Sequence, residues 1–199
     1  MTWKLNSCCR KAKMTEKITT ILLTGAPGVG KTTLVRKICE QLRNVDCRGF
    51  YTEDVRNQGV RRGFDVVTLT GQRAILAREN PNDQLIRRKV GKYSVYVKEF
   101  EDLVLPLLTP KIKDSKQLFV IDEVGKMELL SNKFEAVVTN LIGKTTVLAT
   151  IPLPSRQNMP IVDRLRTLSN SRLFTITKSN RNQIEQEIME IIKEMMSTK

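Results

Sequence analysis

The stretch "GAPGVGKTT", Gly25 to Thr33, constrains what this chain can fold into more than any other. It matches the pattern G-x-x-x-x-G-K-[ST]. It follows "ITTILLT", a short β-branched apolar run that reads as a buried strand. It opens a segment, 30–43, with Leu34, Val35, Ile38 and Leu42 on one helical face. A strand, a glycine-rich turn and a helix in that order make a phosphate cradle. Backbone N–H groups curl inward, and the helix N-terminus adds positive potential. Gly25, Ala26, Pro27, Gly28, Val29 and Gly30 are the expected cradle. Lys31 adds a cation for the β- and γ-phosphates, Thr32 offers its hydroxyl to Mg²⁺, and Thr33 is placed for the α-phosphate. The plain alternative is a glycine-rich turn closed by a capping threonine.

Downstream, strand and helix patterns alternate. "QLFVID", "TTVLAT" and "RLFTIT" read as buried strands, and 131–142, 160–168 and 182–196 as helices. The last helix carries Ile184, Ile188, Ile191 and Met195 at helical spacing, a core-facing stripe. Between the two halves, 48–53 and 63–70 read as strands joined by the turn "RNQGVRRG". "YSVYV" is another short strand, and "FEDLVLPLL" a helix bent or stopped at Pro106. Alternation of this kind implies an α/β fold with a mainly parallel sheet covered on both faces. The 199 residues suit one domain, 18–199, preceded by a flexible basic extension at 1–17.

The second notable stretch is "VIDEVGKMEL", Val120 to Leu129. A phosphate cradle needs a carboxylate at the end of a buried strand to hold Mg²⁺, directly or through water. Asp122 ends such a strand. Glu123 points elsewhere, since strand side chains alternate. The chain has no histidine, so a general base must be a carboxylate, lysine, tyrosine or thiolate. Glu123 is then the candidate that activates the attacking water, against the alternative of a cap or a lysine partner. Lys126 either reaches the same phosphate or pairs with Glu128 or the Asp-Glu pair. The four cysteines form no C-x-x-C pair, and with no histidine a structural zinc site is not expected.

"GAPGVGKTTL", "GFYTEDV", "RRGFDVVTL", "VIDEVGKMEL", "ATIPLP" and "TKSNRN" together resemble, in order and spacing, the cancer-related nucleoside-triphosphatase family of small P-loop proteins. The resemblance covers roughly residues 18–195. It implies a P-loop NTPase fold of the RecA-like branch, a three-layer sandwich. It also implies Mg²⁺-dependent hydrolysis of nucleoside triphosphates to diphosphate and phosphate, with loose base selectivity among ATP, GTP, CTP and UTP. By motif position, Glu53 falls near the end of the second strand, and Arg61 and Arg62 on a hairpin. Arg62 is the candidate for extra positive charge on the γ-phosphate, the alternative being a solvated hairpin arginine. "TKSNRN" lacks the aspartate of a guanine signature. Asn180 with Gln183 resembles a helix N-cap pair, and Arg181 is the candidate that stacks near the base.

Composition weighs the competing functions. Thirty-four Lys and Arg against 21 Asp and Glu give a net charge of +13, which favours anionic partners. Aromatic residues are only 5%, so a stacking platform for single-stranded nucleic acid is poorly supported. There is no long apolar run for a membrane span and no secretory h-region. With unpaired thiols, this gives the expectation of a cytoplasmic protein, with a weak mitochondrial presequence at 1–17 as the alternative. Two other functions stay open: a nucleotide or small-molecule kinase, with Arg78 to Lys92 as its basic lid, and a nucleotide-gated module for RNA or a protein partner. Oligomeric state is not legible.

Overall fold

The computed structural model describes residues 17–42, 44–81, 85–110, 117–155 and 158–197. The proposed extension lies almost wholly outside them. The apolar runs form parallel strands: β1 (Thr20–Gly25), β7 (Gln117–Ile121), β8 (Thr146–Thr150) and β9 (Ser171–Ile176). β2 (Asp46–Asn57) joins them and then turns back through β3 (Val60–Thr68), β4 (Arg73–Glu79) and the short β5 (Lys89–Val90) and β6 (Tyr93–Val95). The nine strands make one sheet in the order β5-β6-β4-β3-β2-β7-β8-β1-β9. From β2 to β9 every pairing is parallel, and from β2 to β5 every pairing is antiparallel.

Among the described residues, five α-helices cover the sheet: α1 (Lys31–Gln41), α2 (Val97–Val104), α3 (Asn132–Leu141), α4 (Pro160–Arg166) and α5 (Ile184–Ser197). The period-2 alternation of the strands divides the core in two. Ile21, Leu23, Leu118 and Val120 pack with α1 and α5. Leu22, Phe119 and Ile121 pack on the other face with α2, α3 and α4. There Phe50, Phe100 and Phe134 meet edge to face at 5.2–6.0 Å, a geometry that aromatic quadrupoles favour. This is the three-layer P-loop sandwich expected from the sequence.

The element types match the sequence patterns in the parallel half and diverge in the antiparallel half. β2 and β3 are longer than expected and meet at a tight turn at Gln58–Gly59, so "RNQGVRRG" is mostly strand. α2 starts at Val97, three residues before "FEDLVLPLL", and ends just short of Pro106, whose ring cannot continue a helix. Among the described residues, no helix is long and apolar enough to cross a membrane. Cys39 and Cys47 are free thiols.

Candidate active site

β1 delivers the glycine-rich loop to the C-terminal edge of the parallel strands, and β7 delivers Asp122 to the same edge. β8 separates them. The loop demands glycine at two places. A Cβ on Gly25 would lie 2.5 Å from the Ile176 carbonyl, and Gly30 turns into α1 at φ 109°. No acidic side chain occupies the first turn of α1, so its N–H groups are left for an anion. Lys31 Nζ folds back over the loop and donates to the carbonyls of Gly25 at 2.9 Å and Ala26 at 3.4 Å.

Asp122 is 2% exposed. Its backbone N–H donates to Phe50 and the Val124 N–H to Thr150, which fixes the segment between β2 and β8. Thr150 Oγ1 donates to Asp122 Oδ1 at 2.6 Å, while the buried Oδ2 accepts no hydrogen bond from a described residue. Burial pushes this carboxyl above the ordinary range, opposed by Thr150, Thr32 and the Lys31 charge. A desolvated, half-unsatisfied carboxylate oxygen beside the Thr32 hydroxyl fits a hard divalent cation. Among the described residues no group of three or more His, Cys, Asp or Glu forms a metal cage. The ion would therefore be completed by phosphate oxygens and water, as Mg²⁺ usually is.

Glu123, half-buried, adjoins this centre. Burial raises its carboxyl, the Lys31 charge opposes the shift and the Asp122 charge adds to it. A raised carboxyl is a better proton acceptor near neutral pH than an ordinary one. A cavity of about 660 Å³ brings Gly25, Lys31, Thr32, Asp122 and Glu123 to one space, of which Thr52, Arg61, Pro152 and Leu153 also form walls. A smaller cavity of about 200 Å³ opens beside α1, with Gly30, Thr33, Lys37 and Arg181 among its walls. Arg181 also donates to the Val29 carbonyl at 3.3 Å, which ties it to the cradle.

Four expectations need correction. Arg62 is exposed and pairs with Glu79 at 3.3 Å, outside the triphosphate cavity. Arg61 takes the cavity position, held by Asp54 at 2.7 Å. Asn180 does not cap α5 with its side chain. Its Oδ1 accepts from the Thr177 N–H at 2.8 Å and its Nδ2 donates to the Thr175 carbonyl at 2.9 Å, so the amide is spent on the loop after β9. Lys126 is exposed and forms no ion pair with a described residue, so the salt-bridge alternative does not hold. The stretch from Arg78 to Lys92 is not a free lid where it is described. Arg78 binds Asp65, Arg87 stacks on Tyr96, Arg88 donates to the Leu130 carbonyl and Lys92 pairs with Glu79.

Sequence reasoning passed over Thr150 and the place of Arg61 in the cavity wall, and saw Glu128 only as a salt-bridge partner. Glu128, on a 3-10 turn at Glu128–Leu130, is 5% exposed. Burial and the Glu123 charge push its carboxyl up to about 8.

A family model described as "NTPase" matches residues 20–189. The chain belongs to this NTPase family. A bovine (Bos taurus) protein named as a cancer-related nucleoside-triphosphatase homolog is 42% identical over 188 residues, 90% of this chain and 97% of its own. Two solved structures share the fold. The crystal structure of THEP1 from Aquifex aeolicus has a TM-score of 0.77 at 37% identity, covering 87% of this chain and 99% of that one. The solution structure of a human cancer-related nucleoside triphosphatase has a TM-score of 0.76 at 40% identity, covering 90% and 99%. The NTPase family thus spans the whole described sheet, both edges included.

Proposed function

We propose that this chain hydrolyses nucleoside triphosphates to diphosphate and phosphate in a Mg²⁺-dependent reaction. The observation that carries the reading is one cavity that holds the cradle, the half-unsatisfied Asp122 and the raised carboxyl of Glu123 together. The names of the relatives support it. Backbone N–H groups of the glycine-rich loop and the first turn of α1, Pro27 having none to give, bind the β-phosphate, and Lys31 swings from the Gly25 carbonyl onto the β- and γ-phosphates. Thr32 and Asp122 would hold Mg²⁺, which neutralises phosphate charge when bound. Glu123 orients a water in line with the γ-phosphorus and takes its proton as the bond to the β,γ-bridging oxygen breaks. Arg61 adds positive charge on the γ-side once the phosphate competes for it with Asp54.

The same geometry supports loose base selectivity. The base-side cavity is walled by α1 side chains, Arg181, Asn182 and Glu185, of which Glu185 is engaged by Gln41 and Lys37, and the Asn180 amide is already occupied. Stacking on a guanidinium does not distinguish one base from another. Phosphate release from ATP, GTP, CTP and UTP, with Mg²⁺ and with chelator, tests the reading. All four should be hydrolysed, chelator should abolish release, and Lys31→Ala should lose most nucleotide affinity. Unchanged affinity in that variant would remove the cradle assignment.

A further inference from the structure

Glu123 borders two cavities. The second, of about 250 Å³, shares Thr52, Phe64, Glu123 and Pro152 with the triphosphate cavity and lies beyond them. Its far wall is Leu76, Val90 and Met127, its inner end Glu128 and its rim Lys126. A hydrolase needs room for one attacking water, whose share of liquid volume is about 30 Å³. This space is several times larger, and its walls are mainly apolar. Such walls stabilise bulk water poorly and an organic body well.

The polar groups it does contain converge on Glu123. A Cβ on Gly125 would fall 2.8 Å from Glu123 Oε1 and 2.9 Å from Glu128 Oε2, so the bare glycine lets both carboxyls lean over one point of backbone. Glu128 is more than nine-tenths buried, and burial with the nearby Glu123 charge pushes its carboxyl up to about 8. Lys126 stands exposed at the rim with no described ion-pair partner. Both residues line this cavity, and neither is among the walls of the triphosphate cavity, so the structure does not bring Lys126 to the expected phosphate position.

We propose that this cavity binds a second substrate, a small alcohol with an apolar body and an anionic group, whose hydroxyl meets Glu123 and accepts the γ-phosphoryl group. The proposal rests on the reading of the cradle and Glu123 given above. The acceptor oxygen forms a bond to the γ-phosphorus, and the bond from that phosphorus to the β,γ-bridging oxygen breaks. The electron pair leaves with the diphosphate, and the hydroxyl proton passes to Glu123. The products are a phosphomonoester and a nucleoside diphosphate. Phe64, Leu76 and Val90 contact the apolar body, Lys126 meets the anionic group, and water takes the acceptor's place when the cavity holds no alcohol.

The test uses the full chain with Mg²⁺ and ATP, in the presence of excess 4-(hydroxymethyl)benzoate or benzyl alcohol as probes. Phosphorus NMR separates a phosphomonoester from inorganic phosphate. The expected result is ester formation from both alcohols, more from the carboxylate probe, with Lys126→Ala removing that preference. Val90→Trp narrows the cavity from the sheet edge and should lower the ratio of ester to phosphate by roughly tenfold or more, the scale of a lost pocket contact. Normal phosphate release with no ester from either alcohol overturns the proposal. An ester-to-phosphate ratio unmoved by Val90→Trp overturns the assignment of the cavity. Release of neither product would instead overturn the reading of the cradle and Glu123.

Discussion

Asp122 and Glu123 are neighbours with different surroundings, and the surroundings divide their work. Asp122 receives a hydroxyl from Thr150 and presents a buried second oxygen toward Thr32, which suits a cation. Glu123 stands in the wall between two cavities, which suits a proton acceptor. Replacing Glu123 with Gln keeps the shape and removes the base. Turnover should fall by roughly two to four decades with Mg²⁺-nucleotide affinity kept, the cost of a lost general base. Steady-state phosphate release and equilibrium binding together check it, and wild-type turnover would return Glu123 to a structural role. Glu128 makes a second prediction at this scale. Its carboxyl ordinarily titrates near 4.5 and in the fold near 8, so between those values the folded state keeps a proton that the unfolded state has lost. The contribution of Glu128 to stability should therefore fall as pH rises from about 4.5 to about 8. Glu128→Gln should flatten that decline in thermal melts, and an unaltered pH profile would place the cause elsewhere. Asp122 was legible in the sequence because a metal-binding carboxylate must end a buried strand, and "LFVID" is such a strand. Arg61 was not. Between Val55 and Arg56 of β2 the register with β3 slips by one and leaves Arg62 as the extra, unpaired residue of β3, so strand parity counted along the sequence does not assign the cavity-facing arginine.

At the scale of elements, legibility followed burial. β1, β7 and β8 are covered on both faces and read as continuous apolar runs, which few other structures produce. β4, "RAILARE", is half-exposed and carries charged residues at both ends, so no apolar run announced it. The lengths of β2 and β3 were hidden for the same reason, since their outer halves are polar and held by Arg56 and Arg61 on Asp54. β2 is also where the two halves of the sheet join, and Gly49 is the narrow point. A Cβ there would lie 1.8 Å from the Val120 carbonyl, in backbone at φ 140°. The clash is with backbone, which a rotamer change does not relieve. Gly49→Ala should push β2 away from β7, the strand that aims Asp122. We expect a loss of roughly 2–4 kcal/mol, in the upper range for single substitutions, read by denaturant melts. Nucleotide affinity in whatever folded fraction remains should fall as well. A variant as stable as the parent would show that β2 and β7 are not tightly held at this point.

Over the whole molecule, the site is an edge of the sheet where cation and anion requirements meet. The net charge of +13 favours anionic partners without choosing a base. Asp122 Oδ2 accepts no hydrogen bond from a described residue, and no acidic side chain lies in the first turn of α1. Mg²⁺-nucleotide suits both places at once and does not bind the unfolded chain. At a hundred times its dissociation constant it should add about 2.7 kcal/mol to folding stability. For a domain of this size each kcal/mol moves the melting temperature by about 2–4 °C, so the rise should be about 5–11 °C. Glu123→Gln is the protein to use, since it holds the nucleotide without consuming it. Chelator should remove most of the shift while the nucleotide is still present, because the triphosphate would then bring its charge next to Asp122 with nothing between them. A shift of the same size with chelator would mean that Asp122 holds no cation, and its buried oxygen would need another partner.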